Sequence, residues 1–283
     1  MRFFRWFALV ILIIGLAVAS FAQELKADEI VAKHLDAIGK KELRTLVANR
    51  LVTGLSQFES KLPQTTGGGK AVVVSDKENL YFMISLNSKE YPNDKVGYFN
   101  EKVSLPFVTA GARSPLGAFI ADHKKLLENG LFLGSMTERW VLLNPQHYGG
   151  RIKAAGAKEI NGRKAYCIQF FPSDGASTEF SIRMYFDAET FYHVRTEYRH
   201  EILPKQDTFG QLGRQGGTTL DLIEYYGDFR TAEGLTFPHV YRVDFKSSSQ
   251  AGTYEYSWTV KVAGYYYNQK LAPDFYSFDQ KEK

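Results

Sequence analysis

From Tyr254 to Val262 the chain alternates without a break. Tyr254, Tyr256, Trp258, Val260 and Val262 fall on one side, and Glu255, Ser257, Thr259 and Lys261 on the other. A period of two held this long specifies a β-strand with one apolar face. Leu80, Phe82, Ile84 and Leu86 repeat the pattern early in the chain. Between these two runs, further strand-like segments follow one another with turn residues between them. Residues 151–160 and 163–171 flank Asn161-Gly162, the dipeptide suited to a two-residue hairpin in which both turn residues take positive φ. Residues 180–186 and 192–201 flank Asp187-Ala188-Glu189-Thr190, and residues 219–229 and 236–246 flank Thr231-Ala232-Glu233-Gly234. Upstream, residues 51–58 and 70–75 read as strands joined by a flexible turn at Thr65–Gly69, and residues 96–99 as another. The expectation is a mainly β domain: a large curved antiparallel sheet of about ten or eleven strands in up-and-down order.

One stretch breaks this pattern. Residues 103–134 are strongly apolar and read as helix. Ser114 and Pro115 make a helix start, with a hydroxyl at the N-cap and a residue that needs no N–H at the first position. Leu116, Phe119, Ile120, His123 and Leu127 then share one face, and Gly130 suits the turn past the helix end. A sheet solvated on one side needs an apolar cover on the other, and this insertion is the candidate cover. Phe107, Leu116, Phe119, Ile120, Leu127, Leu131 and Phe132, with Trp258 from the sheet, form the candidate hydrophobic ligand or lid surface. Arg113, just before the helix, is the candidate for an anionic headgroup. Two roles remain open for the insertion, permanent core and movable plug. A second, shorter helix opens the mature chain, capped by Asp28, running to about Ile38 and ended by Gly39.

The first 22 residues carry Arg2 and Arg5 ahead of an apolar run from Phe7 to Ala19, then Ser20-Phe21-Ala22. That is the pattern of a cleavable export signal with cleavage before Gln23, leaving no stable transmembrane segment. About 260 residues remain, without linker or repeat, as one domain over 23–283. Without Arg2 and Arg5, 33 of the 35 basic residues stand against 31 acidic ones, a net charge of +2. So even a balance excludes a dedicated nucleic-acid surface. Cys167, the lone cysteine, sits between Tyr166 and Ile168 as a strand-core residue, so no disulfide holds the fold.

No catalytic or metal-binding set is legible, and no cofactor is expected. The stretch Thr65–Lys70 misses a phosphate loop at both ends, with Gln64 where Gly is required and Ala71 where Ser or Thr is required. His193 and His200 are seven apart and fall on opposite faces of a regular strand. Asp122 and His123 are adjacent on a helix, about 100° apart, and form no relay with each other. His34 reads as a packed histidine.

The ADEIVAKHLDAIG opening helix, the NGRKAYCIQFFP strand, the FDAETFYHVRTEY and YGDFRTAEGLTFPHVYRVDF hairpins and the closing NQKLAPDFYSF together resemble the LolA-like outer-membrane lipoprotein-sorting proteins. The resemblance spans essentially the whole mature chain. It implies an unclosed half-barrel with helices as a lid over a hydrophobic cavity. It further implies a periplasmic carrier whose partners are acyl chains of lipoproteins or lipids, and inner- and outer-membrane donor and acceptor proteins. The alternative on the same fold is an envelope scaffold or signalling domain without lipid cargo.

Overall fold

A computed structural model describes residues 25–62, 64–89, 91–173, 180–203 and 216–278. The export signal, and most of residues 204–217, whose polar composition implies a long mobile loop, lie outside them. The first meander comprises β1 (Asn49–Lys61), β2 (Gln64–Asp76), β3 (Leu80–Ser85), β4 (Asn93–Phe99) and β5 (Lys102–Ser104). The second comprises β6 (Arg151–Ile160), β7 (Arg163–Phe171), β8 (Phe180–Asp187), β9 (His193–Ile202), β10 (Thr218–Ala232), β11 (Leu235–Ser249) and β12 (Gly252–Tyr267). The NG hairpin between β6 and β7 falls where its turn chemistry places it, with Asn161 and Gly162 both at positive φ. The twelfth strand, beyond the ten or eleven expected, is β5. Its three residues are too few for any alternation to register.

All twelve strands form one antiparallel sheet in the order β5-β4-β3-β2-β1-β12-β11-β10-β9-β8-β7-β6. The first and last strands are neighbours at its middle, paired from Arg50↔Tyr267 to Ser60↔Tyr256. Its two free edges are β5 and β6, which do not pair, so the sheet is an unclosed half-barrel. Val52, Phe58, Phe82, Ile84, Tyr241, Val243, Trp258 and Val260 belong to one buried core along its inner face. The outer face of β3 and β4 has a smaller cover. The closing segment lays Phe278 in a stack on Tyr81, at 4.6 Å between ring centroids, and Phe275 beside it at 5.4 Å.

Two local expectations are corrected. The glycines at 67–69 lie inside β2, paired with Phe58, Gln57 and Ser56, and not in a turn. Their missing side chains admit neighbouring backbone: a Cβ on Gly67 would sit 2.1 Å from the Leu86 carbonyl oxygen. Gly67→Ala is therefore expected to lower unfolding free energy by about 1–3 kcal/mol in urea denaturation; an unchanged midpoint would mean that the crossing at Leu86 yields freely. The opening helix α1 (Ala27–Ile38) starts one residue before Asp28, which sits in its first turn. Lys26 holds the cap position, its backbone N–H donating to Glu29 Oε2 at 2.8 Å. A short helix α2 (Lys41–Thr45) leads into β1.

Candidate functional site

The chain leaves the sheet at one free edge, after Ser104, and re-enters at the other, at Arg151. Residues 105–150 must therefore cross the open side of the half-barrel. They carry α3 (Pro115–Asp122), α4 (Lys125–Glu128), a 3-10 turn (Gly134–Met136) and α5 (Pro145–Tyr148). The expected single helix is broken at His123, which ends α3 at φ −124° and ψ 48°. Its start is as read: Ser114 Oγ accepts the Gly117 N–H at 2.9 Å, with Pro115 at the first position. Leu116, Phe119, Ile120, Leu127, Leu131 and Phe132 are all buried against the sheet.

The crossing has two halves that are held differently. Residues 131–142 are fastened by buried polar bonds to four strands. Tyr198 donates to the Leu131 carbonyl at 2.9 Å, and the Leu133 N–H donates to Glu224 at 2.7 Å. Arg50 donates to the Ser135 carbonyl at 2.6 Å, pairs with Glu138, and lies 3.7 Å over the Phe237 ring. The Glu138 N–H donates to Ser75 Oγ at 2.9 Å. Trp140, Val141 and Leu142 fill the space between, with no exposed surface to speak of. Taking this half off the sheet would separate buried Arg50 from Glu138 and remove the Leu133 N–H from Glu224, at a large cost.

Residues 114–128 are held mainly by apolar contact. Among the described residues, side-chain bonds tie this half to the sheet near its two ends. At the first, Ser114 donates to Asp94, a carboxyl pushed up to about pH 6 by burial. At the second, His123 meets His200 of β9, Nε2 to Nδ1, at 2.9 Å. The other ring nitrogen of His123 faces the Phe119 carbonyl at 2.7 Å and must donate to it, so Nε2 accepts from His200 in the neutral pair. The ring is stacked on both Phe119, at 4.3 Å, and Phe180, at 5.0 Å. Burial holds its pKa below the ordinary histidine value. Beside this break opens a cleft of about 620 Å³, with Leu126, Leu131, Phe180 and Ile182 as its apolar wall and His123 and His200 at its polar side.

The remaining predicted residues separate. Trp258 is buried in the inner face beside Phe58, 5.4 Å between rings. Phe107 is 55 % exposed, on the loop before α3, with the Arg113 guanidinium 4.3 Å over its ring. Arg113 also donates to the Leu105 carbonyl at 3.3 Å. The pair stands apart from the cleft and contributes nothing to its wall. His193 and His200 do not point to opposite faces: a register shift where Tyr185 and Phe186 pair Arg195 and His193 turns both toward the insertion. There His193 stacks on Trp140 at 4.8 Å and His200 meets His123. His34 is packed as expected, with no side-chain hydrogen-bond partner among the described residues; its Nδ1 faces the Phe191 carbonyl at 2.7 Å, and burial lowers its pKa to about 4. Cys167 is buried, which pushes its thiol pKa up.

The polar anchors Arg50, Asp94, Glu138 and Glu224 were missed by sequence reasoning. Glu224 left a signal, since it falls in register with Leu220, Leu222 and Tyr226, a carboxylate on an otherwise apolar side of its strand. No helix among the described residues is long and apolar enough to cross a membrane, and those residues contain no group of three or more His, Cys, Asp or Glu able to hold a metal.

No family model and no curated protein matches the sequence. Among solved structures the chain is similar to a LolA superfamily protein from Nitrosomonas europaea, at 11% identity and a TM-score of 0.47, covering 90% of this chain and 99% of that one. It is similar to an outer membrane lipoprotein-sorting protein domain from Vibrio parahaemolyticus at 10% identity and a TM-score of 0.44, over 87% and 95% of the two chains. It is also similar to the Mycobacterium tuberculosis lipoprotein LppX, at 10% identity and a TM-score of 0.26, over 87% and 98%. At these identities they are likenesses of fold alone.

Proposed function

We propose that the protein is an exported, periplasmic carrier that takes acyl chains of lipids or lipoproteins under residues 114–128 and releases them without a covalent step. The observation that carries this reading is the unequal fastening of the crossing segment. One half is bound to the sheet by buried charge, and the other rests on apolar contact with a cleft at its break. Displacing α3 and α4 exchanges one apolar partner for another and breaks few polar bonds, whereas displacing 131–142 leaves charges unpaired. An acyl chain entering at Phe180 and Leu126 would replace the contacts that Phe119 and Ile120 make now.

Hydrogen exchange on detergent-free protein tests this, with and without a short-chain phospholipid below its micellar concentration. With lipid bound, the amides of 115–128 are expected to lose protection while those of 131–142 keep theirs. Equal protection in both halves at saturating lipid, or no lipid retained in native mass spectrometry, would make the whole segment permanent core and end the carrier reading.

A further inference from the structure

A second concavity, of about 270 Å³, lies where α1 and α2, the start of β1, the β2–β3 turn and the anchored half of the crossing meet. Arg44, Arg50 and Lys77 line it, with Glu138 as the carboxylate among its lining residues. Three cations against one anion leave a formal charge of +2 in a space closed on several sides. Glu138 is already taken by Arg50, which is 3 % exposed and whose Nε has no hydrogen-bond partner. Arg44 spends its Nε on the Gly39 carbonyl, at 3.0 Å. Among the described residues, neither its terminal guanidinium nitrogens nor the Lys77 ammonium has a carboxylate within ion-pair distance. Burial holds the Arg44 pKa below the ordinary arginine value, against the pull of Asp36, Glu42 and Glu138. Cations gathered in a partly desolvated space repel one another more strongly than they would in water, and a guanidinium fork beside an ammonium matches a tetrahedral oxyanion.

We infer that this concavity binds a phosphate group, with Arg44 and Lys77 as its direct ligands and Arg50 as the buried charge behind them. The site is separate from the acyl cleft and stands or falls without it. Its walls join the N-terminal helices to Glu138, Leu143 and Asn144 of the crossing. A bound phosphate would therefore clamp the anchored half in place. The phosphate could belong to a lipid headgroup or be free in solution, and the two sources are separable.

The thermal midpoint of the full chain should be followed in sodium phosphate and in sodium chloride at matched ionic strength, at pH 7. Phosphate is expected to raise it along a saturating curve, as a ligand of the folded state does. Lys77→Gln, at an exposed turn where no fold contact is lost, should weaken the apparent affinity by about tenfold, and Arg44→Gln by at least as much. A response in the Lys77→Gln variant equal to that of the wild type would reduce phosphate to a general salt effect and overturn the site. Dihexanoyl phosphatidic acid binding at least tenfold tighter than inorganic phosphate, with that advantage lost in Lys77→Gln, identifies a headgroup as the source. Equal binding of the two assigns free phosphate.

Discussion

Replacing Arg50 by alanine is expected to cost about 3–5 kcal/mol of unfolding free energy. The guanidinium is buried, pairs with Glu138, donates to the Ser135 carbonyl at 2.6 Å and covers the Phe237 ring at 3.7 Å. Its removal leaves a buried carboxylate without its ion-pair partner, and that penalty exceeds what the pair contributes when intact. The double replacement Arg50→Met with Glu138→Leu should recover most of the loss, because it removes both charges and keeps apolar volume. Urea denaturation of the three proteins at pH 7 decides it. A single variant within about 1 kcal/mol of wild type would mean that water reaches Glu138 once Arg50 is gone.

Glu224 carries the second large expectation. Its carboxyl is fully enclosed, and burial pushes its pKa up to about 7 even though Tyr241, Tyr198 and the Leu133 N–H all approach it. A proton count of the hydroxyl beside it favours the same protonated form. The Tyr198 hydroxyl has one hydrogen and two acceptors within reach, the Leu131 carbonyl at 2.9 Å and Glu224 Oε2 at 2.7 Å. With Glu224 protonated on Oε2, that oxygen donates to Tyr198 and Tyr198 donates to Leu131, so every group is satisfied. The folded pKa of about 7 lies above the ordinary value of 4.5, so the folded state holds the proton more tightly. Its contribution to stability is therefore present in full below about pH 4.5 and is lost as pH rises through 7.

Glutamine copies the protonated carboxyl. Glu224→Gln should be more stable than wild type at pH 8, by roughly 3 kcal/mol for a shift of this size, with the advantage gone by about pH 4.5. Denaturation midpoints across pH 4–8 test the slope, and parallel curves for the two proteins would sink the proton count. The buried histidines act in the opposite sense. His34, lowered from 6.5 to about 4, and His193, lowered well below 6.5, are favoured neutral by the fold. Their contribution is present above pH 6.5 and is lost as pH falls through their folded values. Wild-type stability should accordingly be flatter between pH 4.5 and 6.5 than that of His34→Phe, in which His193 alone opposes the carboxyl side of the balance.

The fold was legible wherever a period could be counted. The alternation from Tyr254 to Val262 and the Asn161-Gly162 turn were sufficient to place β12 and the β6–β7 hairpin. Where side-chain chemistry and backbone geometry disagreed, the reading failed. Gly67–Gly69 look like a turn, but their lack of side chains serves close approach inside β2. The parity argument for His193 and His200 assumed a regular strand, and one register shift in β9 reversed it. At the site, the apolar face of α3 could be read from spacing alone. The helix break at His123 could not, because the ring's partner His200 is 77 positions away. The same holds for Arg50 and Glu138, 88 positions apart. Long-range polar pairs leave no local pattern, and here they separate the fastened half of the crossing from the loose one.

The position of β1 beside β12 has a consequence for how the molecule assembles. Each meander is a run of neighbouring hairpins and can form from local contacts, which close quickly. The seam between them joins residues such as Arg50 and Tyr267, and it is absent until the last strand is available. A chain delivered from its N-terminus would hold β1 through β5 with a bare edge at β1 until β12 arrives, an exposed template for pairing with other chains. Completion of the sheet thus waits for β12, and truncations that remove β12 should leave two half-sheets prone to associate rather than one smaller domain.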